Sequence, residues 1–408
     1  MINLRNLIFL FICMLLIVFG LFLAGYSYAG GYLVSEHTYK RLEIIHKLMA
    51  NNKYDEAKDL LDHLQQSTKN NRHESALVFQ TYAYLYASKD DYQNAITALE
   101  KCLVLDAMPE AQIHNIMLNL IQLYVGTENY VKATELFEKY LNEVDNPLPY
   151  AHGIGGIAYA QRNNYSEAIK HLKIAIDNSK KPEESWFQIL LSIYYDRKDY
   201  TAAAYLLEKL IVIYPHKKEY WKQLSGVRYQ LNNEQEALSV LQLAYLNGLL
   251  KEESELINLA KFYTFNGMPY KGAQIIETGI DDKIIKPEEN NLRLLAECYL
   301  RANELGKAII ILSKAVEISN DADLYIKLAN LHYEQEDWLA TIETINKAFA
   351  IGKVQYPGKA YLLQGIAYYE QNKFQQAVLA LDNAKQYKDT KATAEQWSTY
   401  VTNQEVLP

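Results

Sequence analysis

A pattern of apolar residues at helical spacing repeats along the chain, and short polar turns interrupt it. Each copy of the pattern contains one small residue, which we call the marker residue. In most copies this marker residue stands three positions after an aromatic residue that follows a polar turn, as in Tyr54-Asp55-Glu56-Ala57. Apolar residues four and seven positions later complete one helix face. The marker residues are Ala57, Ala95, Ala133, Ala168, Ala203, Ala237, Ala273, Ala308, Thr341 and Ala377. Their separation of 33 to 38 residues predicts a stack of helix pairs, with the marker residue in the second helix.

The first helix of each pair has a signature of its own. Twelve positions before the marker residue a small residue is frequent, as at Ala83, Gly156, Ser225, Ala296, Ala329 and Gly365. Small side chains let two helices approach closely, and a tyrosine three positions later is expected to fill the space beside them. These tyrosines are Tyr86, Tyr124, Tyr159, Tyr194, Tyr299 and Tyr368.

The pattern resembles the tetratricopeptide repeat over residues 38–388, in about ten units. The resemblance implies an all-α solenoid, a right-handed superhelix of helix-turn-helix repeats. We expect a C-terminal capping helix within the segment 389–408, because the last repeat otherwise exposes an apolar face. The polar turns, such as Asn51-Asn52-Lys53 and Glu336-Asp337, are expected to cap the helices that follow them. Each turn offers only one or two carboxylates, too few for a metal site.

The N-terminus differs from the repeats. Residues 7–24 form an uncharged apolar run preceded by Arg5, which predicts that the chain after it is exported. The small residues Ser27 and Ala29 favour a cleaved signal peptide over residues 1–29, followed by a short linker at 30–37. The run is nearly long enough to span a bilayer, so a retained membrane anchor is the alternative. Membrane contact is expected only through this segment, if it is not cleaved.

Composition and motifs argue against nucleic-acid binding and catalysis. The net charge of −8 and the absence of a Lys/Arg stripe exclude a nucleic-acid surface. The glycine run 153–156 mimics a phosphate loop, but no Lys-Ser/Thr pair follows it, so close helix packing explains it better. Cys13 leaves with a cleaved signal, and Cys102 and Cys298 lie in the second and eighth repeats, too far apart to bridge, so we expect no disulfide framework. We therefore expect no enzyme activity, no catalytic residue, no cofactor and no metal site.

The exposed positions of the first helices are the candidate binding groove. Their mixture of aromatic and polar side chains suits an extended protein or peptide segment. The alternative is that the tyrosines simply pack on neighbouring repeats. The candidate groove residues are Ser185, Gln188, Ser192, Tyr195, Lys222, Tyr229, Ile326, Asn330, Tyr333 and Tyr369.

Several segments from Glu184 onwards are not required by repeat packing, among them 184–188, 217–225 and 394–400. In this order they resemble the exported tetratricopeptide protein found with TonB energy-transduction systems of Gram-negative bacteria. The resemblance implies a periplasmic scaffold, an accessory of TonB-dependent outer-membrane iron uptake, whose partners include components of the TonB complex. The alternative location is the inner membrane, anchored by residues 7–24. The alternative function is a periplasmic scaffold for envelope assembly or exopolysaccharide export.

Overall fold

The computed structural model describes residues 32–405, which contain 21 α-helices and no strand. The chain divides into two compact units, residues 1–206 and 207–408, and the division falls inside α10. The helices are α1 (Glu36–Ala50), α2 (Tyr54–Thr68), α3 (Arg72–Ser88), α4 (Tyr92–Leu105), α5 (Glu110–Gly126), α6 (Tyr130–Glu143), α7 (Pro149–Gln161), α8 (Tyr165–Asn178), α9 (Glu184–Asp196), α10 (Tyr200–Ile213), α11 (Lys218–Gln230), α12 (Glu234–Leu246), α13 (Glu253–Phe265), α14 (Pro269–Asp281), α15 (Glu289–Arg301), α16 (Leu305–Glu317), α17 (Ala322–Glu334), α18 (Trp338–Ile351), α19 (Pro357–Glu370), α20 (Phe374–Ala384) and α21 (Lys391–Glu405).

Within each unit, odd-numbered helices pack against the even-numbered helices that follow them, as α3 does against α4 and α15 against α16. The predicted all-α architecture of helix-turn-helix pairs is confirmed. All ten marker residues lie in second helices and have no solvent exposure. Thr341 is tolerated at a marker position because its hydroxyl donates to the carbonyl of Asp337, the N-cap residue of its helix, at 2.8 Å.

Each turn inside a pair contains one residue in the left-handed region. In the seventh pair this is Gly267, with φ +74°; in the other pairs it is Asn52, Asp90, Glu128, Asn163, Lys198, Asn232, Asn303, Glu336 or Asn372. Asn and Asp tolerate this conformation best among residues with a Cβ. The predicted capping occurs at Asp91 and Asp337, whose side chains accept backbone N–H groups of the next helix at 3.2 and 3.0 Å.

The tyrosines of the first helices join successive pairs. Tyr124 donates its hydroxyl to Glu100 of the preceding pair at 2.5 Å, and Tyr159 donates to Glu138 at 2.7 Å. Tyr299 repeats the contact in the second unit, with Glu277 at 2.8 Å. Burial and the neighbouring carboxylate raise the pKa of Tyr159, so its hydroxyl remains a donor. The sequence predicted the packing of these rings but not the hydrogen bonds between repeats.

The C-terminal helix α21 packs against α19 and α20. Its Val401 is fully buried in a cluster with Ala377 and Leu381 of the tenth pair. The predicted capping helix is therefore present, and it covers apolar residues that the tenth pair would otherwise expose.

Candidate functional site

The glycine run in α7 is a site of close helix packing, as predicted. A Cβ atom on Gly153 would lie 2.4 Å from the Trp186 indole of α9, and one on Gly155 would lie 2.3 Å from the Phe137 ring of α6. Gly156 meets Leu172 of α8 in the same way, at 2.7 Å. The run therefore brings α7 against three neighbouring helices and forms no phosphate loop.

Four predicted groove residues are brought together on α9, in the first unit. Ser185, Gln188, Ser192 and Tyr195 follow one another at intervals of three and four residues, so they share one helix face. Ser192 is exposed and the other three are half-buried. The amide of Gln188 donates to Glu184 at 3.4 Å. The face combines hydroxyl, amide and aromatic groups, as the sequence predicted.

The other six predicted groove residues lie in the second unit, distributed over α11, α17 and α19. Tyr229 of α11 meets Phe262 of α13 edge to face, with ring centroids 6.0 Å apart. Tyr333 of α17 makes the same kind of contact with Trp338, at 5.3 Å. Beside it, the exposed Asn330 donates to the Ile326 carbonyl of its own helix at 2.8 Å. These two tyrosines contact neighbouring rings, while Tyr229 remains 45% exposed, so both interpretations of their role stay open.

Tyr369 contacts the capping helix. Its ring centroid lies 5.9 Å from that of Trp397 and 5.4 Å from that of Tyr400, and its hydroxyl lies 3.3 Å from the Tyr400 hydroxyl. The chain itself therefore covers much of this predicted groove position. Whether the ten predicted groove residues bind a peptide stays a prediction.

Lys222 belongs to an ion cluster of the second unit. Its Nζ lies 3.4 Å from Oε1 of the buried Glu255, and Lys218 Nζ lies 2.9 Å from the same atom. Burial raises the pKa of Glu255, but hydrogen bonds from Lys218 and from the backbone N–H groups of Glu252 and Lys251 outweigh it and hold the pKa low. The hydrogen bonds to Glu252 and Glu255 raise the pKa of Lys218. The charge of Lys222 is thus partly compensated within the chain.

The sequence analysis did not identify a histidine pair in the fourth pair of helices, in which His171 is buried and His152 is half-buried. The Nδ1 atoms of His152 and His171 lie 2.9 Å apart, so one ring donates a hydrogen bond to the other. Nε2 of His171 lies 3.5 Å from the Glu167 carboxylate, and the Phe137 ring meets both imidazoles edge to face. Residues 32–405 contain no group of three or more His, Cys, Asp or Glu side chains placed to hold a metal ion.

The same described range contains no helix that is both long enough and apolar enough to cross a bilayer. The apolar run 7–24, on which the export prediction rests, lies outside the described residues.

Sequence reasoning also missed how charge is distributed among the first helices. Three positions, located 18, 15 and 11 residues before the marker residue, share one helix face. In α3, α5, α7 and α9 none of these twelve positions carries Asp, Glu, Lys or Arg. The twelve are Leu77, Gln80, Tyr84, Asn115, Leu118, Gln122, Tyr150, Gly153, Ile157, Ser185, Gln188 and Ser192, which we call the uncharged face. The signal is legible in the sequence once the repeats are aligned on their marker residues.

Comparisons with known proteins agree with this architecture. A family model described as tetratricopeptide repeat matches residues 155–218. ER membrane protein complex subunit 2-A of Xenopus laevis is 34% identical over 108 residues, 26% of this chain and 35% of that protein. The chain thus spans about a third of the length of the curated relatives that it matches.

Solved structures give weaker similarities. A tetratricopeptide repeat protein from Parabacteroides merdae is 13% identical, with coverage of 73% of this chain and 99% of that one, at a TM-score of 0.40. YrrB, described as having an unusual peptide-binding site, is 18% identical, with coverage of 44% and 89% and a TM-score of 0.37.

The family match begins inside α7 and ends at the first residue of α11, so it covers helices that carry the marker residues Ala168 and Ala203. The same arrangement of paired helices continues on both sides of the matched stretch. Tetratricopeptide repeats generally serve as scaffolds that bind protein or peptide partners. Over residues 155–218 the chain is therefore similar to the tetratricopeptide repeat, and the paired helices around this stretch have the same arrangement.

Proposed function

We propose that the chain is an exported scaffold that binds protein segments and serves as an accessory of a TonB-dependent outer-membrane transport system for iron uptake. The observation that carries the binding role is the α9 face, where Ser185, Gln188, Ser192 and Tyr195 lie together on one side of a helix. Hydroxyl and amide groups can satisfy the backbone of an extended segment, and the aromatic ring supplies contact area.

The TonB link is supported by the resemblance of the segments 184–188, 217–225 and 394–400 to an exported family, and not by the packing of these segments. Their tryptophans make particular contacts: Trp186 packs against Gly153, and Trp221 donates its indole N–H to the Pro215 carbonyl at 3.0 Å. Trp397 packs against Tyr369. The segments resemble the TonB-associated exported family, and the apolar run 7–24 behind Arg5 is consistent with export.

The export proposal is tested by fusing a reporter that is active only outside the cytoplasm after Tyr39. The fusion to the full-length chain is expected to be active. The control is a fusion that lacks residues 1–29, which should be inactive until these residues are restored. N-terminal sequencing of the mature protein then distinguishes cleavage after Ala29 from a retained anchor. An inactive full-length fusion contradicts export.

The TonB role is tested by deleting the protein in its own host and measuring energised uptake of an iron chelate under iron limitation. Uptake is expected to fall, and the full-length chain is expected to restore it. Cross-linking of a tagged chain in membranes should recover TonB-complex components. Normal uptake in the deletion strain, or recovery of envelope-assembly or polysaccharide-export proteins instead, overturns the TonB role.

A further inference from the structure

Two histidines occupy positions of the fourth pair that seldom carry a polar residue in the other pairs. His171 stands three positions after its marker residue, where the other nine second helices carry Leu, Ala, Val, Ile or Thr. His152 stands sixteen positions before the same marker residue, where the other first helices carry Phe, Met, Trp, Ile, Leu or Tyr, apart from Arg41 in α1. Repeat packing therefore requires neither imidazole, and their pairing is particular to α7 and α8.

The geometry of the pair limits how many protons it can hold. The two rings are within 16° of parallel, with centroids 5.1 Å apart and Nδ1 atoms 2.9 Å apart, so each ring extends away from one shared hydrogen bond. Glu167 lies 3.5 Å from Nε2 of His171 and favours a proton on this nitrogen. With this assignment, Nδ1 of neutral His171 is the acceptor, and Nδ1 of His152 donates to it.

Successive protons therefore have different effects on the pair. A first proton binds Nε2 of His152, which takes no part in the shared hydrogen bond, and the pair stays intact. A second proton must bind Nδ1 of His171, where it turns the acceptor into an N–H group that faces another N–H group across 2.9 Å. Two adjacent imidazolium charges also repel each other. The doubly protonated rings must therefore separate.

The charged groups on α8 act on the pair in opposite directions. Burial lowers the pKa of His171 most, and the charges of His152 and Lys170 act in the same direction. Glu167 raises this pKa, but it is a smaller cause than these three. Burial and the charge of Lys170 also lower the pKa of His152. The closed pair is therefore favoured at neutral pH and loses stability as the pH falls, because an open pair binds protons more readily.

Helices α6 and α7 contribute aromatic rings and charges that are already paired. The Phe137 ring of α6 meets both imidazoles edge to face. Tyr159 of α7 stacks on His171, and its hydroxyl donates to Glu138 of α6. The guanidinium of Arg162 in α7 donates to a threonine hydroxyl of α6. The carboxylate that α6 brings to this junction is therefore bonded to a tyrosine and not to the histidines.

Helices α5 and α9 also contact α7. His114 of α5 lies 4.0 Å from the Glu143 carboxylate of α6, and Trp186 of α9 packs against Gly153. These contacts involve neither histidine of the pair.

Helix α7 is built to open more easily than its neighbours. Gly153, Gly155 and Gly156 remove three side chains from its 13 residues, and glycine is a poor helix former. Gly156 also marks a close approach to α8, because a Cβ atom there would lie 2.7 Å from Cγ of Leu172. Separation of the imidazoles removes the polar contact next to this point, and a helix with few side-chain contacts is then the element that opens locally.

We propose that the His152–His171 pair is an acid-operated latch between α7 and α8, which stays closed with one added proton or none and opens the fourth pair locally when the second proton binds. Opening exposes Phe137 and Leu172, which have no solvent exposure in the closed structure. The ligand is a proton and not a metal ion, because residues 32–405 offer no third His, Cys, Asp or Glu side chain to complete a metal site. The latch depends on neither the export role nor the TonB role.

Hydrogen exchange of the full chain tests the latch. Exchange is read by mass spectrometry from about pH 7 to about pH 4 and corrected for the intrinsic rate. Peptides from residues 149–178 are expected to lose protection by about tenfold for each pH unit over the lower part of this range. Peptides from α3, α4, α15 and α16 should keep theirs. Binding of an apolar dye should rise in parallel, because Phe137 and Leu172 become accessible.

Substitutions assign the effect to the pair. His171→Gln removes the nitrogen that takes the second proton, so protection of residues 149–178 should no longer depend on pH. His152→Gln removes the neighbouring charge that lowers the pKa of His171, so the loss of protection should begin at a higher pH. His216→Gln changes an exposed histidine outside the first unit and should behave as the wild type.

Three results overturn the latch. The first is loss of protection in all helices together, which is ordinary acid unfolding. The second is constant protection of residues 149–178 in the wild type. The third is the same pH dependence in His171→Gln as in the wild type. A His152→Gln chain that follows the wild-type profile would likewise show that the two histidines do not act as a pair.

Discussion

At Tyr124, Tyr159 and Tyr299, a single hydroxyl group connects one helix pair to the acid of the pair before it. In the sixth pair, Arg228 replaces the tyrosine and forms ion pairs with Glu208 and Glu236. A hydrogen bond to a charged acceptor contributes more than a neutral one. These contacts therefore add a directional component to an interface that is otherwise apolar.

Removing one such hydroxyl tests this contribution. Tyr159→Phe is expected to destabilise the chain by about 1–2 kcal/mol, because Glu138 loses a buried partner while the ring remains. The midpoint of urea denaturation measures the change. Tyr39→Phe is the control, since its side chain is 53% exposed and should cost little. Equal effects of the two substitutions would show that the hydroxyl of Tyr159 does not stabilise the interface.

The histidine pair makes stability depend on pH. Burial lowers the pKa of His171 to about 4, and the nearby His152 and Lys170 act in the same direction. In the unfolded chain the imidazole of His171 becomes protonated below about pH 6.5, whereas in the folded chain it becomes protonated only near pH 4. Stability is therefore complete above pH 6.5 and should fall by an amount on the order of 2 kcal/mol as the pH drops to 4.

The measurement is urea denaturation from pH 7 to pH 4, comparing the wild type with His171→Gln. The free energy of unfolding should depend less steeply on pH in the variant. Without the imidazole, the folded and unfolded chains no longer differ in proton binding at position 171. His216→Gln, at an exposed position, is the matched control. An unchanged slope in His171→Gln would assign the acid sensitivity to other groups.

At the scale of helices, two glycines offer opposite predictions for the same substitution. Gly153→Ala places a methyl group 2.4 Å from the buried Trp186 ring and should destabilise the chain by about 1–2 kcal/mol, after the gain in helix propensity is counted. Gly226→Ala in α11 meets no atom within 4 Å and should stabilise by about 0.5–1 kcal/mol. Thermal denaturation measures both, and the same sign for both would contradict the packing role of Gly153.

The helix pairs could be predicted from the sequence because every pair requires the same types of residue at its buried positions. A marker position without solvent exposure accepts only a small side chain, so Ala57, Ala168 and the others return at every repeat. The candidate site was harder to predict, because sequence register identifies the face of a residue but not what covers it. Tyr369 is contacted by α21, a helix outside the repeat pattern. The histidine pair joins residues 19 positions apart that no repeat motif specifies.

At the scale of the whole molecule, α21 protects the end of the stack. Val401→Asp places a carboxylate in the cluster of Ala377 and Leu381 and should release the helix, at a cost of about 2–4 kcal/mol. The released face is expected to promote association, which light scattering coupled to size-exclusion chromatography detects. Thr399→Asp, on the exposed side of the same helix, should remain as monodisperse as the wild type. If α21 is released and the chain does not associate, the apolar face of the tenth pair is stable when it is exposed to solvent.

The tyrosine–acid contacts also bear on how such a chain can change length in evolution. The partners are separated by 24, 21 and 22 residues, so each contact joins neighbouring pairs and never reaches further. The third pair carries both Tyr124 and Glu138, so duplication or deletion of this complete pair leaves each neighbouring acid beside a tyrosine. At such a junction the number of repeats can therefore change by whole units while the hydrogen bond is kept, and the uncharged face can lengthen or shorten without redesign of the interface beneath it.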